Sequence, residues 1–508
     1  MTLLADVVAA SEEVAESRSR SRKVAILAEL LRALDAAEVP IVAGLLSGVP
    51  RQGRIGIGYV TAHALEDSPA AEPSLAVGDL DHAIVLIQGA TGAGSAGERR
   101  RILGDLLARA TEREAVFIRR LLTGELRQGA LAGLMADAIA AAAEVPGDVV
   151  RRALMLSGDL ARTAELAVEE GEAGLRAVGL ELFRPILPML ASTAANVPDA
   201  LAGFARASVE WKLDGIRIQI HRRDDEVRIY TRNLNDITHA LTGIAETVRR
   251  LPVRRAVLDG EALWMGPDGP AAFQDTAAQI DGDAPPEGVV TFLFDLLHVD
   301  GADLLDEPLA ERAARLEEIA SHLRIPARIT DDSQDAERVL TDALDAGHEG
   351  IVVKDAASPY AAGRRGKAWR KVKPVRTYDL VVLGAEWGHG RRRGRLSNLH
   401  LGARDAGTGE FVMVGKTFKG LTDDLLRWQT QALLERETAR QGIAVLVRPE
   451  LVVEIALDGV QRSTRYAGGV ALRFARVKRY RPDKRAEEAD TIDDLRALLP
   501  VRRQSASE

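Results

Sequence analysis

Residues 208–221 read Ser208-Val209-Glu210-Trp211-Lys212-Leu213-Asp214-Gly215-Ile216-Arg217-Ile218-Gln219-Ile220-His221, and the phase of their apolar positions decides what the segment is. Up to Leu213 the apolar positions are odd (Val209, Trp211, Leu213); beyond Gly215 they are even (Ile216, Ile218, Ile220). A strand with a side-chain period of two cannot change phase without a turn or bulge, and Asp-Gly is a strong turn signal. The segment is predicted as two strands meeting at Asp214-Gly215, with Lys212 opposite the apolar face at a strand rim. Arg217 follows just beyond the turn. An amine so placed is a nucleophile only in its unprotonated form, which nearby cations and partial desolvation favour. Cationic surroundings are therefore expected for Lys212. The segment alone suits an ordinary surface lysine beside a hairpin equally well.

Working outward, residues 208–374 consist of short β-like runs broken by Gly, Asp and Pro: SVEWKL, GIRIQIH, EVRIYTR, RRAVLDGEALW, GVVTFLFDLLHV, GIVVKD and AWRKVKP. One helical stretch, LAERAARLEEIASHL, interrupts them, so a mixed α/β domain is expected. Upstream, apolar residues recur at helical spacing through Val24, Leu27, Leu30, Leu31 and Leu34 and again through residues 100–145, in segments dominated by Ala and Leu. FRPILPMLAS, with Pro185 and Pro188, reads as an extended connector. Downstream, DLVVLGAEW, LSNLHLGARD, EFVMVGKTF and ELVVEIALDGV suggest a small barrel, with a helix near LTDDLLRWQTQALLERETA. Residues 501–508 read as a frayed tail.

Gly92-x-Gly94-x-x-Gly97 follows a strand-like run and precedes a helix, as a dinucleotide fingerprint would. No acid ends a second strand and no βαβ alternation continues, so a connector between helices is expected. The absence of cysteine from all 508 residues excludes a disulfide framework, cysteine zinc sites and a thiol nucleophile. No apolar run approaches the ~18–20 residues of a membrane span, and the acidic start is unlike a signal peptide, so a cytoplasmic protein is expected. The net charge of −8 hides strong segregation. Residues 351–400 hold twelve Lys/Arg against three Asp/Glu, and residues 470–485 hold seven against one. Such basic tracts suit an anionic partner, phosphate first.

Further pieces join Lys212. Leu258-Asp259-Gly260-Glu261 ends a strand-like run with a carboxylate at a turn, and His348-Glu349-Gly350 places another before Ile351–Lys354. Two glutamates at strand edges suit a divalent metal shared with phosphates. In Trp369–Lys373 the alternation puts Lys371 and Lys373 on one face, opposite Val372.

Taken in order, these motifs resemble those of the ATP-dependent DNA ligases, within the covalent nucleotidyltransferase superfamily. Lys212–Arg217 is similar to the KxDGxR element, Thr231-Arg232-Asn233 to the basic element after it, and Leu258–Glu261 to the next carboxylate motif. Phe294-Asp295-Leu296-Leu297 lies where the family keeps an aromatic that stacks on adenine. Glu349–Lys354 and Trp369–Lys373 resemble the fourth and fifth motifs, and Leu472–Arg476, running on to Lys484, resembles the last. The likeness covers about 300 residues, and the helical start, including LTGELRQGALAGLM, resembles more softly the family's DNA-binding domain.

The resemblance implies a multidomain α+β protein: an all-α DNA-binding domain (1–180), a mixed α/β adenylation domain of ATP-grasp-like type (181–375) and an OB-fold barrel (376–500). It implies three-step sealing of 5′-phosphate/3′-hydroxyl nicks through lysyl-AMP on Lys212, with ATP as co-substrate and Mg2+ as metal. Glu210 would read the adenine amino group and Phe294 would stack on the base. Arg217 and Arg232 would lie near sugar and phosphates. Glu261 and Glu349 would bind ribose or metal. Arg365, Lys371 and Lys373 would contact the α-phosphate, and Arg473 and Arg476 would orient pyrophosphate, on a barrel pivoting near Pro374–Tyr378. The implied partner is nicked duplex DNA, bound without sequence preference by a monomer associated with the nucleoid. An RNA ligase or capping guanylyltransferase shares the lysine chemistry but not the helical start. An NAD-dependent ligase would need a cysteine zinc site, and a silent nucleic-acid-binding protein would not need Lys212, Glu261, Glu349 and Lys371 intact.

Overall fold

A computed structural model describes residues 1–499 apart from 54, 56, 59–60, 63–68, 93, 127–131, 267–268, 271–275, 277–287, 362–364 and 375. The chain divides into two compact units, Met1–Met265 with Phe273–Val372, and Gly266–Ala272 with Lys373–Glu508. The tail 501–508 and the middle of LTGELRQGALAGLM lie outside the described residues.

The first unit starts with ten described α-helices between Leu4 and Ala177, sharing one apolar core that includes Leu4, Leu27, Leu45, Leu80, Ile118 and Met135. The run before Gly92 is helical (Val77–Gly89): Ile84 and Ile87 are buried while Val85 and Leu86 are exposed, a three-residue spacing that a strand cannot produce. Gly92 and Gly94 have φ of 79° and 88° and lead into the helix Ser95–Ala108, which is the connector expected. No helix among the described residues is long and apolar enough to cross a membrane.

After Ala177 the connector around Pro185 and Pro188 has no regular structure, and the side chains of Gln219 and His221 satisfy part of its backbone. The Phe183 N–H donates to His221 Nδ1 (2.9 Å), and Gln219 accepts from Ile186 N–H (2.8 Å) while donating to its carbonyl (3.2 Å). Burial pushes the His221 imidazole down to about 3, so it serves here as a neutral acceptor.

Among the described residues nine longer strands then form most of two sheets: β1 (Leu190–Thr193), β2 (Ala207–Lys212), β3 (Ile216–Arg223), β4 (Glu226–Thr231), β5 (Arg255–Gly266), β6 (Val289–Val299), β7 (Ala327–Thr330), β8 (Gly350–Asp355) and β9 (Arg365–Val372). A five-stranded sheet orders them β1-β9-β8-β2-β7, and the long strands of the other run β4-β3-β5-β6. The change of phase at Asp214-Gly215 is therefore not a hairpin. It passes the chain from one sheet to the other, so β2 and β3 face different neighbours. Gly215 is required there, since a Cβ would meet the Ala262 carbonyl at 2.4 Å.

Where the sequence suggested one helix in this region, there are also Thr242–Arg249 and Ser333–Asp345. Ala336, Val339 and Ala343 of the latter bury against Val209, Ile351, Val353 and Val372 on one face of the five-stranded sheet. Its apolar positions, Ala336, Val339, Leu340, Ala343 and Leu344, recur at helical spacing, and Leu340 packs on the same core.

The second unit is built on a long strand, Arg376–Trp387, which pairs with Val452–Leu457 along its first half and with Leu396–Arg404 and Ala444–Val447 along its second. Shifts of register between Val382 and Gly384 bend it, as closing a small barrel requires. The helix Asp423–Leu434 covers the core through Leu426 and Leu433.

Candidate active site

In the five-stranded sheet, Val352 on β8 sits between Glu210 on β2 and Lys371 on β9; Lys354 likewise sits between Ser208 and Trp369, and Gly350 pairs with Lys212. These residues share one face, because the opposite one is taken by Val209, Ile351, Val353 and Val372. One strand rim therefore carries Lys212, Glu210 and Lys371 on the face turned away from the apolar helix contact. Lys373 follows β9 and begins the second unit.

Lys212 occupies the last position of β2, and its side chain is 21% exposed. Its ammonium pairs with Glu349, which reaches it because the Glu349 N–H donates to the Lys212 carbonyl (3.0 Å) just ahead of β8. His348, the residue before, packs its ring against Trp211 at 5.0 Å. The immediate partner of Lys212 is thus a carboxylate, which corrects the expectation of cationic surroundings. The basic residues that prompted it are near in sequence, whereas Glu349 is 137 positions away.

Glu261 on β5 pairs in register with Arg217 on β3 and lies within electrostatic reach of Lys212. Burial pushes its carboxyl up to about 7, and the pull of Lys212 and Arg217 does not cancel that penalty. Arg217 is half-buried. Its Nε and Nη2 grip Asp259 at 3.0 and 2.6 Å, and Nη1 donates to the Met189 carbonyl.

Glu210 is almost fully buried; Ser208 Oγ donates to it (2.9 Å) and Lys354 forms an ion pair with it. Burial raises its carboxyl above the ordinary range despite the Lys354 charge beside it. The Lys354 ammonium lies 4.3 Å from the ring centre of Phe294 and 4.1 Å from that of Trp369, which meet edge to face. Phe294 is half-buried. Behind it, Asp295 and Arg312 form an ion pair with both side chains at 0% exposure, fixing β6 to the helix Leu309–Ala320.

Arg232 is exposed and lines a small cleft with Arg217, Asp259, Thr231 and Pro188. The Arg365 side chain lies outside the described residues, although its backbone opens β9 opposite Leu190. Arg473 ends the strand Val470–Arg473, and Arg476, exposed, pairs with Asp458 at 3.5 Å; both belong to the second unit. The first unit therefore gathers Lys212, Glu210, Glu349, Glu261, Arg217, Phe294 and Lys371 along its two sheets. Sequence reading gave no role to Lys354, Asp259 or Tyr360. Lys354 and Asp259 stood inside quoted motifs, while nothing around Tyr360 marked it.

Among the described residues no group of three or more His, Asp or Glu is placed to hold a metal. Glu261 and Glu349 supply two carboxylates, both half-buried, a donor set that fits a site completed by a cation whose other ligands are phosphate oxygens and water.

Residues 188–373 match the model of the ATP dependent DNA ligase domain, residues 392–484 that of the ATP dependent DNA ligase C terminal region, and residues 56–140 that of the DNA ligase N terminus. The chain is 55% identical over 500 residues to a probable DNA ligase of Saccharopolyspora erythraea, covering 98% of each chain. It is 54% identical over 501 residues to one of Rhodococcus jostii, covering 98% of this chain and 100% of the relative. The solved structure Pmar-Lig_PreS3 superimposes with a TM-score of 0.62 at 20% identity, covering 94% of this chain and 99% of that one, a likeness of fold.

Proposed function

The chain belongs to the ATP-dependent DNA ligase family, and we propose that it seals nicks in duplex DNA with Lys212 as the nucleophile. In the first step Lys212 Nζ attacks the α-phosphorus of ATP; a P–N bond forms, the bond to the bridging oxygen breaks, and pyrophosphate leaves. The 5′-phosphate of a nick then attacks the same phosphorus and the P–N bond breaks, which returns the amine. Last, the 3′-hydroxyl attacks the 5′-phosphorus and AMP leaves. Each step is phosphoryl-type transfer, in which positioning and charge neutralisation supply most of the catalysis.

The observation that carries this reading is the meeting of Lys212, Glu349 and Glu261, brought from three separate motifs by two sheets. In the resting arrangement Glu349 neutralises the amine, so the nucleophile is released only when that ion pair opens and the proton departs. Glu261 and Glu349 would hold magnesium, which when bound supplies positive charge against the phosphate oxygens. Lys371, on the same face as Lys212, and Arg365 and Lys373 are assigned to the α-phosphate. Glu210 is assigned to the adenine amino group and Phe294 to the base, with Arg217 and Arg232 near sugar and phosphates. Arg473 and Arg476, from the second unit, orient the departing pyrophosphate. The domain division follows: helical DNA-binding residues 1–180, adenylation residues 181–375 and barrel residues 376–500.

Duplex recognition rests on the basic tracts and the phosphate backbone, so affinity falls steeply with salt and carries no sequence preference. A nick is a single site, which suits a monomer working on the nucleoid in the cytoplasm. The test is a nicked duplex with a labelled 5′-phosphate, incubated with magnesium and either ATP or NAD. Sealing with ATP alone is expected. Sealing with NAD alone, or of nicked RNA but not DNA, would contradict the reading.

A further inference from the structure

Arg217 is largely enclosed, its side chain 15% exposed, and its hydrogen bonds can be counted. A guanidinium carries five N–H donors. Among the described residues Nε and Nη2 each give one to Asp259, Nη2 gives its second to Tyr360 Oη at 3.3 Å, and Nη1 gives one to the Met189 carbonyl. The remaining N–H, on Nη1, is the one left to meet a ligand. The Tyr360 hydroxyl is equally saturated: it donates to Asp259 Oδ2 (2.8 Å) and accepts from the Met189 N–H (3.0 Å) and from Arg217. With one donor and two lone pairs, a phenol has no further capacity.

Tyr360 also joins parts of the fold that approach the site from different sides. It is 1% exposed and lies in the loop between β8 and β9, which belong to the five-stranded sheet. Its N–H donates to the Leu305 carbonyl (2.7 Å), and the loop is tied through Ser358 to Leu309 and Arg312 of the helix that packs on β6. Its hydroxyl reaches Asp259 on β5 and Arg217 on β3, in the other sheet.

We infer that Tyr360 is a positioning residue: its hydroxyl, shared by Asp259, Met189 and Arg217, fixes which single N–H of Arg217 faces the nucleotide. The inference rests on the reading of Arg217 as a sugar and phosphate contact. Tyr360→Phe keeps the ring and deletes only the shared oxygen. Arg217 then keeps the Asp259 fork and the Met189 carbonyl but loses its third anchor, and the buried Met189 N–H loses its partner.

The experiment is a double-mutant cycle on the full chain, with labelling by α-labelled ATP and magnesium as the readout and thermal melting alongside. Tyr360→Phe is expected to lower kcat/KM for adduct formation about tenfold, mainly through KM. In the Arg217→Ala background the same change is expected to alter it by less than about twofold, since the group it orients is gone. Equal losses in both backgrounds would mean a merely structural tyrosine and overturn the inference, as would wild-type kinetics for Tyr360→Phe. Should Tyr360→Phe melt without a cooperative transition, Asp259→Asn replaces it in the cycle; additivity there overturns the inference equally. Wild-type labelling by Arg217→Ala would also overturn it while leaving Lys212 as nucleophile. Absence of any adduct on the wild type would strike the ligase mechanism itself.

Discussion

Two strand glutamates, each within reach of a lysine, lie at opposite ends of the carboxylate range. In the second unit Glu386 accepts from Lys416, Asn398 (2.7 Å) and His400 (3.1 Å). Burial pushes its carboxyl up, but the three donors outweigh it and hold the group at about 2. In the first unit burial also opposes the charge on Glu261, and Lys212 and Arg217 act only through space, leaving the carboxyl at about 7. The difference is one of satisfaction. A structural carboxylate is given donors until its charge is comfortable, whereas Glu261 is half-buried and the cations acting on it are committed elsewhere, Lys212 to Glu349 and Arg217 to Asp259. Such an under-served charge marks a place prepared for an incoming one.

The largest effect that would break this comparison is in activity. Glu261→Gln is expected to lower adduct formation about 100-fold, as loss of a charge that holds a cation should. Its melting temperature should not fall, because the buried charge being removed is unfavourable. A large drop in stability with little loss of adduct would make Glu261 a structural group like Glu386. Next come Arg473→Ala and Arg476→Ala, each expected to slow adduct formation at least about tenfold. Both should seal a pre-adenylated nick near the wild-type rate; equal impairment of the two reactions would refute their assignment to pyrophosphate.

The smallest effect is in stability. Glu386→Gln should cost about 1–3 kcal/mol, with adduct formation by Lys212 unchanged. The folded value of Glu386 lies below its unfolded value of 4.5, so its contribution is complete above that pH and is lost as pH falls toward about 2. Acid unfolding of wild type followed at the second unit, by the fluorescence of Trp387 and Trp428, should steepen in that window, and Glu386→Gln should flatten it. Identical acid profiles would remove one half of the contrast.

Much of this was legible in the chain. The switch of apolar phase at Asp214-Gly215 located the end of β2 and placed Lys212 at its rim. The alternation in Trp369–Lys373 put Lys371 on the face opposite buried Val372. What remained hidden was pairing. Period-two patterning gives a strand its faces but not its neighbours, so the turn looked like a hairpin while the structure uses it to cross between sheets. The sign of the charge beside Lys212 was misread for the same reason, since contacts 137 residues apart leave no local trace. Tyr360 escaped because its function resides in one hydroxyl whose three partners come from three different segments. The helix Ser333–Asp345 was legible but passed over: Ala336, Val339, Leu340, Ala343 and Leu344 carry the helical spacing.

The most direct measurement is the mass of the protein after incubation with ATP and magnesium, without DNA, followed by peptide mapping. A single added AMP on the peptide containing Lys212, removed by acid, kept in base and absent from Lys212→Ala, is the predicted result. AMP retained by Lys212→Ala, or attached to any other side chain, would contradict it.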